Sequence, residues 1–281
     1  MILVTGATGT VGREVVTQLL AAGQEIRALT RSPATARFDP RVELVAGDLH
    51  EPRTLASAVD GVERIFSLAL GPHLGAQERS LALAARQAGA RQVVKLSVLG
   101  AGRGARSGVA TWHEEGERAV QEAGIAWTFV RPGAFMSNAL YWSSTIRREG
   151  KVYSNFGEGR LAPIHPRDIA AVAVRALTEP GHEGRAYELT GPEALSVREQ
   201  VDILAKVLGR SIEYVPITDE VARAGMQKAG MPDYLIEALL PFGAIVRSGK
   251  AANVLPTVGQ VTGRAPLPFV DWAREQADAF R

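Results

Sequence analysis

The chain has 281 residues, 46% of them hydrophobic and 22% charged, which suits one large globular domain or a core domain carrying a smaller lobe. Its 32 basic and 30 acidic residues nearly cancel to a formal charge of +2, so no basic surplus points to nucleic acid. Cysteine is absent, which excludes disulfides, thiolate nucleophiles and Cys-ligated metals, and no apolar run is long enough to span a membrane.

The apolar start Ile2-Leu-Val4 reads as a short buried strand, and glycines follow at the spacing G-x-x-G-x-x-G: Gly6, Gly9 and Gly12. From Arg13 to Ala22 the apolar residues Val15, Val16, Leu19 and Leu20 fall at helical spacing. Strand, tight turn and helix N-terminus in this order form a dinucleotide site. Gly6 permits the turn, Gly9 lets the backbone approach a pyrophosphate, and Gly12 allows close packing of helix on sheet. Thr8, Thr10 and Val11 complete the turn, whose free N–H groups and positive dipole end face the phosphates. Because this fingerprint starts at residue 5, no signal peptide is expected, and the expected compartment is the cytoplasm.

Glu25–Thr30 is the second strand, and its tip reads Thr30-Arg31-Ser32 where a NAD-selective site places a carboxylate. Arg31, with Ser32 beside it and Arg13 and Arg37 as helpers, suits a 2′-phosphate, so NADP(H) is expected in preference to NAD(H). Val42–Ala46 is the third strand. Asp48 beyond it either hydrogen-bonds the adenine amino group, with Leu49 on the ring, or caps a helix over 51–59. Arg64–Leu70 is the fourth strand, whose end residues Leu68 and Ala69 form an apolar wall along the cofactor. A helix over 77–88, a strand over 92–97, a helix over 111–123 and a strand over 125–130 follow, with Pro132 and Gly133 walling the nicotinamide site. The alternation predicts an α/β fold, a Rossmann-type doubly wound parallel sheet with ligands at the carboxyl ends of its strands.

Beyond residue 133 the alternation weakens. Met136–Glu149 reads as an amphipathic helix or lid, Ile169–Leu177 as a helix with Asp168 at its N-cap, and Ala186–Thr190 as a strand returning to the sheet. Ser196 and Glu199 stand at capping-box spacing before a helix to Leu208, and further helices are expected over 219–229, 233–240 and 269–280. The predicted division is a cofactor core over 1–155, completed by the late strand, and a substrate lobe over 156–281. Phe135, Met136, Trp142 and Phe156 are candidates to stack on a flat aromatic acceptor, with the apolar core as the competing assignment. No His/Asp/Glu set has metal-ligand spacing, and His73 and His165 carry no assignment. No sustained heptad is present, which leaves monomer and homodimer open.

Taken together, Thr5-Gly-Ala-Thr-Gly-Thr-Val-Gly12, Gly47-Asp-Leu49, Lys95-Leu-Ser97, Thr128-Phe-Val-Arg-Pro-Gly133 with Phe135-Met-Ser-Asn138, and His165-Pro-Arg-Asp-Ile-Ala170 resemble the NmrA-like branch of the atypical short-chain dehydrogenases/reductases. The resemblance implies binding of NAD(P)H. It admits quinone oxidoreductases, azo-dye reductases and aromatic-alcohol reductases, and also redox sensors that bind the cofactor without turnover. Typical members of the larger superfamily carry a Ser, then Tyr-x-x-x-Lys, in which the Tyr protonates a carbonyl oxygen and the Lys lowers its pKa. Here Ser97 matches the Ser, but His113-Glu-Glu-Gly-Glu117 stands in place of Tyr-x-x-x-Lys.

That departure argues against ordinary ketone reduction, which needs a strong proton donor for an alkoxide. A quinone that accepts hydride becomes a phenolate-type anion, and the demand on a donor is smaller. His113 is therefore expected to act as an acid or an orienting hydrogen-bond donor. Glu117, four residues on and on the same helix face, would favour its protonated form. The competing assignment puts both on a solvated helix surface. The leading expectation is a flavin-free, NADPH-dependent reductase of electron-poor aromatic acceptors such as quinones or azo compounds, with Ser97, His113 and Glu117 at the reacting end. The alternatives are a non-catalytic NADP(H) sensor and a tailoring reductase for a polyketide- or phenylpropanoid-like compound.

Overall fold

The computed structural model describes residues 1–104 and 108–281. Strands and helices alternate from the N-terminus, except that β3 follows β2 directly, as β1 (Ile2–Val4), α1 (Thr10–Ala21), β2 (Ile26–Thr30), β3 (Val42–Ala46), α2 (Leu55–Val59), β4 (Arg64–Ser67), α3 (Leu74–Gln87), β5 (Gln92–Leu96), α4 (Val109–Glu122) and β6 (Ala126–Pro132). Next come α5 (Ser143–Glu149), β7 (Lys151–Ser154), β8 (Arg160–Leu161), α6 (Pro166–Thr178) and β9 (Arg185–Leu189). The chain ends with β10 (Leu195–Ser196), α7 (Val197–Leu208), β11 (Glu213–Pro216), α8 (Asp219–Lys228), α9 (Asp233–Leu239), α10 (Phe242–Arg247), α11 (Thr257–Thr262) and α12 (Phe269–Glu275).

The main sheet has the order β3-β2-β1-β4-β5-β6-β9. All pairings among β1 to β6 are parallel, with Ile2 opposite both Ile26 and Arg64. The strand order reverses between β1 and β4, so the carboxyl ends of these two strands flank the switch point at which α/β sheets bind ligands. Alternate strand residues Leu3, Ile65, Val93 and Phe129 bury against Leu55, Leu81, Ala85 and Val120 of α2, α3 and α4. Each of these Leu, Ile, Val and Phe side chains, fully buried, contributes about 1.5–3 kcal/mol. Helix α6 packs on α1 and on β4, β5 and β6, and its buried face runs from Pro166 through Leu177. The predicted Rossmann-type doubly wound sheet is the fold observed.

The chain divides into two compact units, Met1–Pro132 with Pro166–Glu188, and Gly133–His165 with Leu189–Arg281. The predicted boundary at 155/156 falls inside the second unit. Residues 133–165 belong there because Met136, Ala139, Ile146 and Val152 share a core with Val201, Leu204, Tyr214, Phe269 and Trp272. In this unit β7 pairs in parallel with β11, Lys151 opposite Glu213, and β8 pairs antiparallel with β10. Ser196 and Glu199 form the capping box at α7 that their spacing predicts. Three local expectations change: residues 136–142 form a 3-10 turn before α5, β4 stops at Ser67, and Asp168 lies within the first turn of α6 because the helix already begins at Pro166. Among the described residues no helix is long and apolar enough to cross a membrane.

Candidate active site

The glycine turn after β1 is built by the chain's own sterics. Gly6 takes a φ of +61°, the left-handed region that favours glycine, and its carbonyl receives the Gly9 N–H at 2.9 Å. Gly9 is the extended N-cap of α1. A Cβ on Gly12 would collide with the Gly6 carbonyl and come within 2.9 Å of the Ala7 Cα, so Gly12 is needed to close the helix on the turn itself rather than on a strand. Thr8, Gly9 and Thr10 are exposed, while Val11 and Gly12 are buried. The Thr5 hydroxyl accepts the Leu68 N–H at 2.7 Å and donates to the Leu68 carbonyl at 3.2 Å, tying the end of β1 to the segment after β4. Leu68 thereby lies over Gly6, where an added Cβ would meet its side chain at 3.0 Å, and Ala69 is buried beside it. A cradle that a single Cβ would fill, opening onto the exposed N-terminus of α1, fits a dinucleotide pyrophosphate.

Around this turn, Arg31 and Ser32 are exposed at the tip of β2, and Arg13 Nε donates to the Thr8 carbonyl at 2.9 Å. Arg37 is turned to its own loop, donating to Ala34 O and Ala36 O. Asp48 does not cap the following helix through its side chain. Its Oδ1 accepts the His50 N–H at 2.9 Å and its own N–H donates to Thr54 Oγ1, which holds Leu49 against the adjoining core. Pro132 ends β6 with its carbonyl accepting the Leu99 N–H at 2.8 Å, and the Gly133 N–H donates to Leu189 O at 2.8 Å.

At the carboxyl end of β5 the three residues expected to react are all buried, and their pairing is not the one expected. Glu117 does not meet His113. Its Oε1 accepts the Ser97 hydroxyl at 2.5 Å and Arg131 Nε at 2.9 Å, and its Oε2 accepts Arg131 Nη2 at 2.5 Å. Arg131 is thus a bidentate partner, and its guanidinium is held above the usual value chiefly by that carboxylate. His113 instead places Nδ1 3.1 Å from Lys95 Nζ. Lys95, wholly buried, also donates to Leu96 O at 2.9 Å and lies 3.7 Å from Glu78 Oε1. Ser67 closes the set with a 2.7 Å hydrogen bond to Glu78 Oε2.

The electrostatics correct the expected protonation of His113. Burial, and then the Lys95 charge, push its pKa down to about 2, so the imidazole is neutral near pH 7. Burial also lowers Lys95 and raises Glu78, each opposed by attraction to the other. Lys95, Glu78, Ser67 and Arg131 were not among the expected site residues. A lysine inside the apolar strand Gln92–Leu96 is one signal. The other is Glu78 at helical spacing between Leu74 and Leu81 on the buried stripe of α3.

The proposed stacking residues lie in the second unit. Met136 is 1% exposed and part of that unit's core, so it has no face to offer an acceptor. Trp142 and Phe156 pack on the same core, Phe156 edge-on to Phe242 at 5.7 Å, and Phe135 is half-buried with its backbone bridged to Ile164. His165 is buried 3.3 Å from the Glu275 carboxylate, whereas His73 is exposed beside His50.

A model of NAD(P)H-binding proteins matches residues 6–180. The chain is 44% identical along its whole length to an NAD(P)H azoreductase of Xenophilus azovorans, of which it covers 99%. It is also 44% identical, with the same coverage, to the (4-alkanoyl-5-oxo-2,5-dihydrofuran-3-yl)methyl phosphate reductase of Streptomyces griseus. Among solved structures it superposes on the NADPH-dependent quinone oxidoreductase of Escherichia coli complexed with NADPH, with a TM-score of 0.86 and 27% identity over 98% of this chain and 99% of that one.

Proposed function

This chain belongs to the NAD(P)H-binding family, and on that premise we propose that it is an NADPH-dependent reductase of electron-poor aromatic acceptors such as quinones or azo compounds, in the NmrA-like branch of the atypical short-chain dehydrogenases/reductases. The glycine turn at residues 6–12 holds the pyrophosphate, and Arg31 with Ser32 holds the 2′-phosphate. Bound NADPH supplies the hydride.

The observation that carries the acceptor class is the neutral, buried His113 where the superfamily keeps its acid. The Ser97 hydroxyl donates its hydrogen bond to Glu117, so neither residue supplies the strong acid that an alkoxide requires. An acceptor whose reduced anion is delocalised over its own ring needs only an N–H donor, and water supplies the proton afterwards. The azoreductase and the quinone oxidoreductase similar to this chain act on acceptors of that kind by name. Neither nucleic acid nor membrane enters this reading, which places a monomeric or homodimeric enzyme in the cytoplasm.

Anaerobic NADPH oxidation by the purified chain, with a quinone and an azo dye, tests the proposal. Catalytic consumption that falls in His113→Ala is expected. Tight NADPH binding with no oxidation by any acceptor would turn the reading to a redox sensor. The Streptomyces relative supports a second reading, because the alkene in its named substrate class stands between carbonyl groups and would likewise yield a delocalised anion on hydride addition. Turnover of an acyl butenolide in preference to quinones identifies such a tailoring reductase.

A further inference from the structure

The buried cluster behind the end of β5 contains more than the proposed hydride transfer uses. Lys95 and Glu78 are both ionisable and both fully buried. Their arrangement has a definite donor and acceptor sense. Lys95 Nζ donates to Leu96 O at 2.9 Å, lies 3.1 Å from His113 Nδ1 and forms an ion pair with Glu78 Oε1 at 3.7 Å. An ammonium has three protons and no lone pair, so it matches that set and can only donate to the imidazole. A neutral imidazole that accepts at Nδ1 carries its own proton at Nε2. Glu78 is fixed on its far side by the Ser67 hydroxyl, and Gly116 leaves room on α4 for the lysine stem, since a Cβ there would lie 2.8 Å from Lys95 Cε.

We propose that Lys95 is a positioning residue that locks His113 in the Nε2-protonated tautomer, so that the ring offers a fixed N–H to the acceptor and never a transferable proton. The tautomer follows from the 3.1 Å approach of Nζ to Nδ1 with Lys95 as the ammonium that its ion pair with Glu78 favours, and its use at the acceptor rests on the reductase reading above. The charged groups around the ring leave it in that form. The two carboxylates of the cluster are committed elsewhere, Glu78 to Ser67 and Lys95, Glu117 to Ser97 and Arg131, and the cation that does touch the ring repels a second positive charge. Burial acts in the same sense, holding the ring neutral down to about pH 2. In the reaction, hydride and its electron pair pass to the acceptor, the anion so formed accepts the Nε2–H hydrogen bond, and its proton comes from water after release. The rate of that step is flat from pH 5 to pH 8.

The test uses the full chain labelled with ¹⁵N in its five histidines, read by long-range ¹⁵N–¹H correlation, with His113→Gln assigning the resonances. An unprotonated Nδ1 and a protonated Nε2 at His113, unchanged between pH 5 and pH 8, are expected. In Lys95→Met that signature is lost, and kcat with a quinone falls about ten-fold, the worth of one hydrogen bond, while the KM for NADPH holds. Lys95→Met leaves Glu78 without its cation, so Lys95→Met/Glu78→Gln, which removes both charges, supplies a variant that folds without a stranded carboxylate. A proton on Nδ1 in the wild type, a His113 titration between pH 5 and pH 8, or an Nε2–H tautomer that persists in the folded double variant would each overturn the proposal. Failure of every acceptor to oxidise bound NADPH, with the tautomer as expected, refutes the reductase reading instead.

Discussion

Replacing Arg131 by Met measures what the Glu117 carboxylate costs when its cation is taken away. The two side chains are 15% and 5% exposed, and Met keeps most of the arginine stem while deleting both hydrogen bonds to Glu117. Removing one partner of a buried pair costs about 3–5 kcal/mol, because the remaining charge stays desolvated. The Ser97 hydroxyl still donates to Oε1, worth on the order of 1 kcal/mol, which places the effect near the lower end of that range, about 3 kcal/mol. For a chain of 281 residues that is a fall in Tm of about 5 °C. Urea unfolding of the full chain, followed by circular dichroism, reads the loss directly. Glu117→Gln/Arg131→Met removes the stranded charge and should recover more than half of it. An Arg131→Met variant within 1 kcal/mol of wild type, or a double variant equal to the sum of its singles, would show that the pair is not the buried unit described.

The remaining predictions concern the cofactor and the proton. Gly12→Ala drives a methyl into the Gly6 carbonyl, so a stability loss of about 1–3 kcal/mol is expected together with at least ten-fold weaker NADPH binding by fluorescence titration. Arg31→Ala should raise the KM for NADPH about ten-fold, the worth of one charge-assisted hydrogen bond, and leave that for NADH unchanged; equal effects on both would remove the 2′-phosphate from its role. His113 is held neutral down to about pH 2 when folded but takes a proton near pH 6.5 when unfolded. The unfolded chain therefore binds more protons between those values, and this group's contribution to stability is present above pH 6.5 and lost as pH falls toward 2. Between pH 6 and pH 4 the wild type should lose roughly 2.5 kcal/mol more than His113→Gln, as read by denaturation at each pH.

The glycine turn and the alternation of strand and helix were open to reading because both are local. A turn that needs a positive φ at Gly6 selects its residue directly, and strand and helix periodicities announce themselves within a few residues. The pairing of β7 with β11 was not readable, since Lys151 and Glu213 are far apart in sequence and neither segment says which partner it takes. The reacting end shows the same limit at a smaller scale. His113 and Glu117 do share a helix face, as four-residue spacing dictates, and both are buried, yet each meets a different strand residue, Lys95 or Ser97. Spacing on a helix tells which side chains are neighbours; it does not tell what the opposite wall presents. Lys95 stood in view within its motif, and its meaning depended on Glu78 of α3, brought to it only by tertiary packing.

The first compact unit is assembled from two separate stretches, Met1–Pro132 and Pro166–Glu188. Its completion is therefore a matter of timing during synthesis. When residue 132 leaves the ribosome, α1 still lacks α6 and β6 has an open edge where β9 will lie. The chain must emerge through a further excursion belonging to the other unit before that edge is covered, so nascent protein carries an unsealed β-strand for the time taken to add more than fifty residues, a few seconds at about 5–20 residues per second. Fragments that stop at residue 155 share that exposed edge permanently and should be captured by chaperones or aggregate, whereas a chain ending after β9 has the whole sheet.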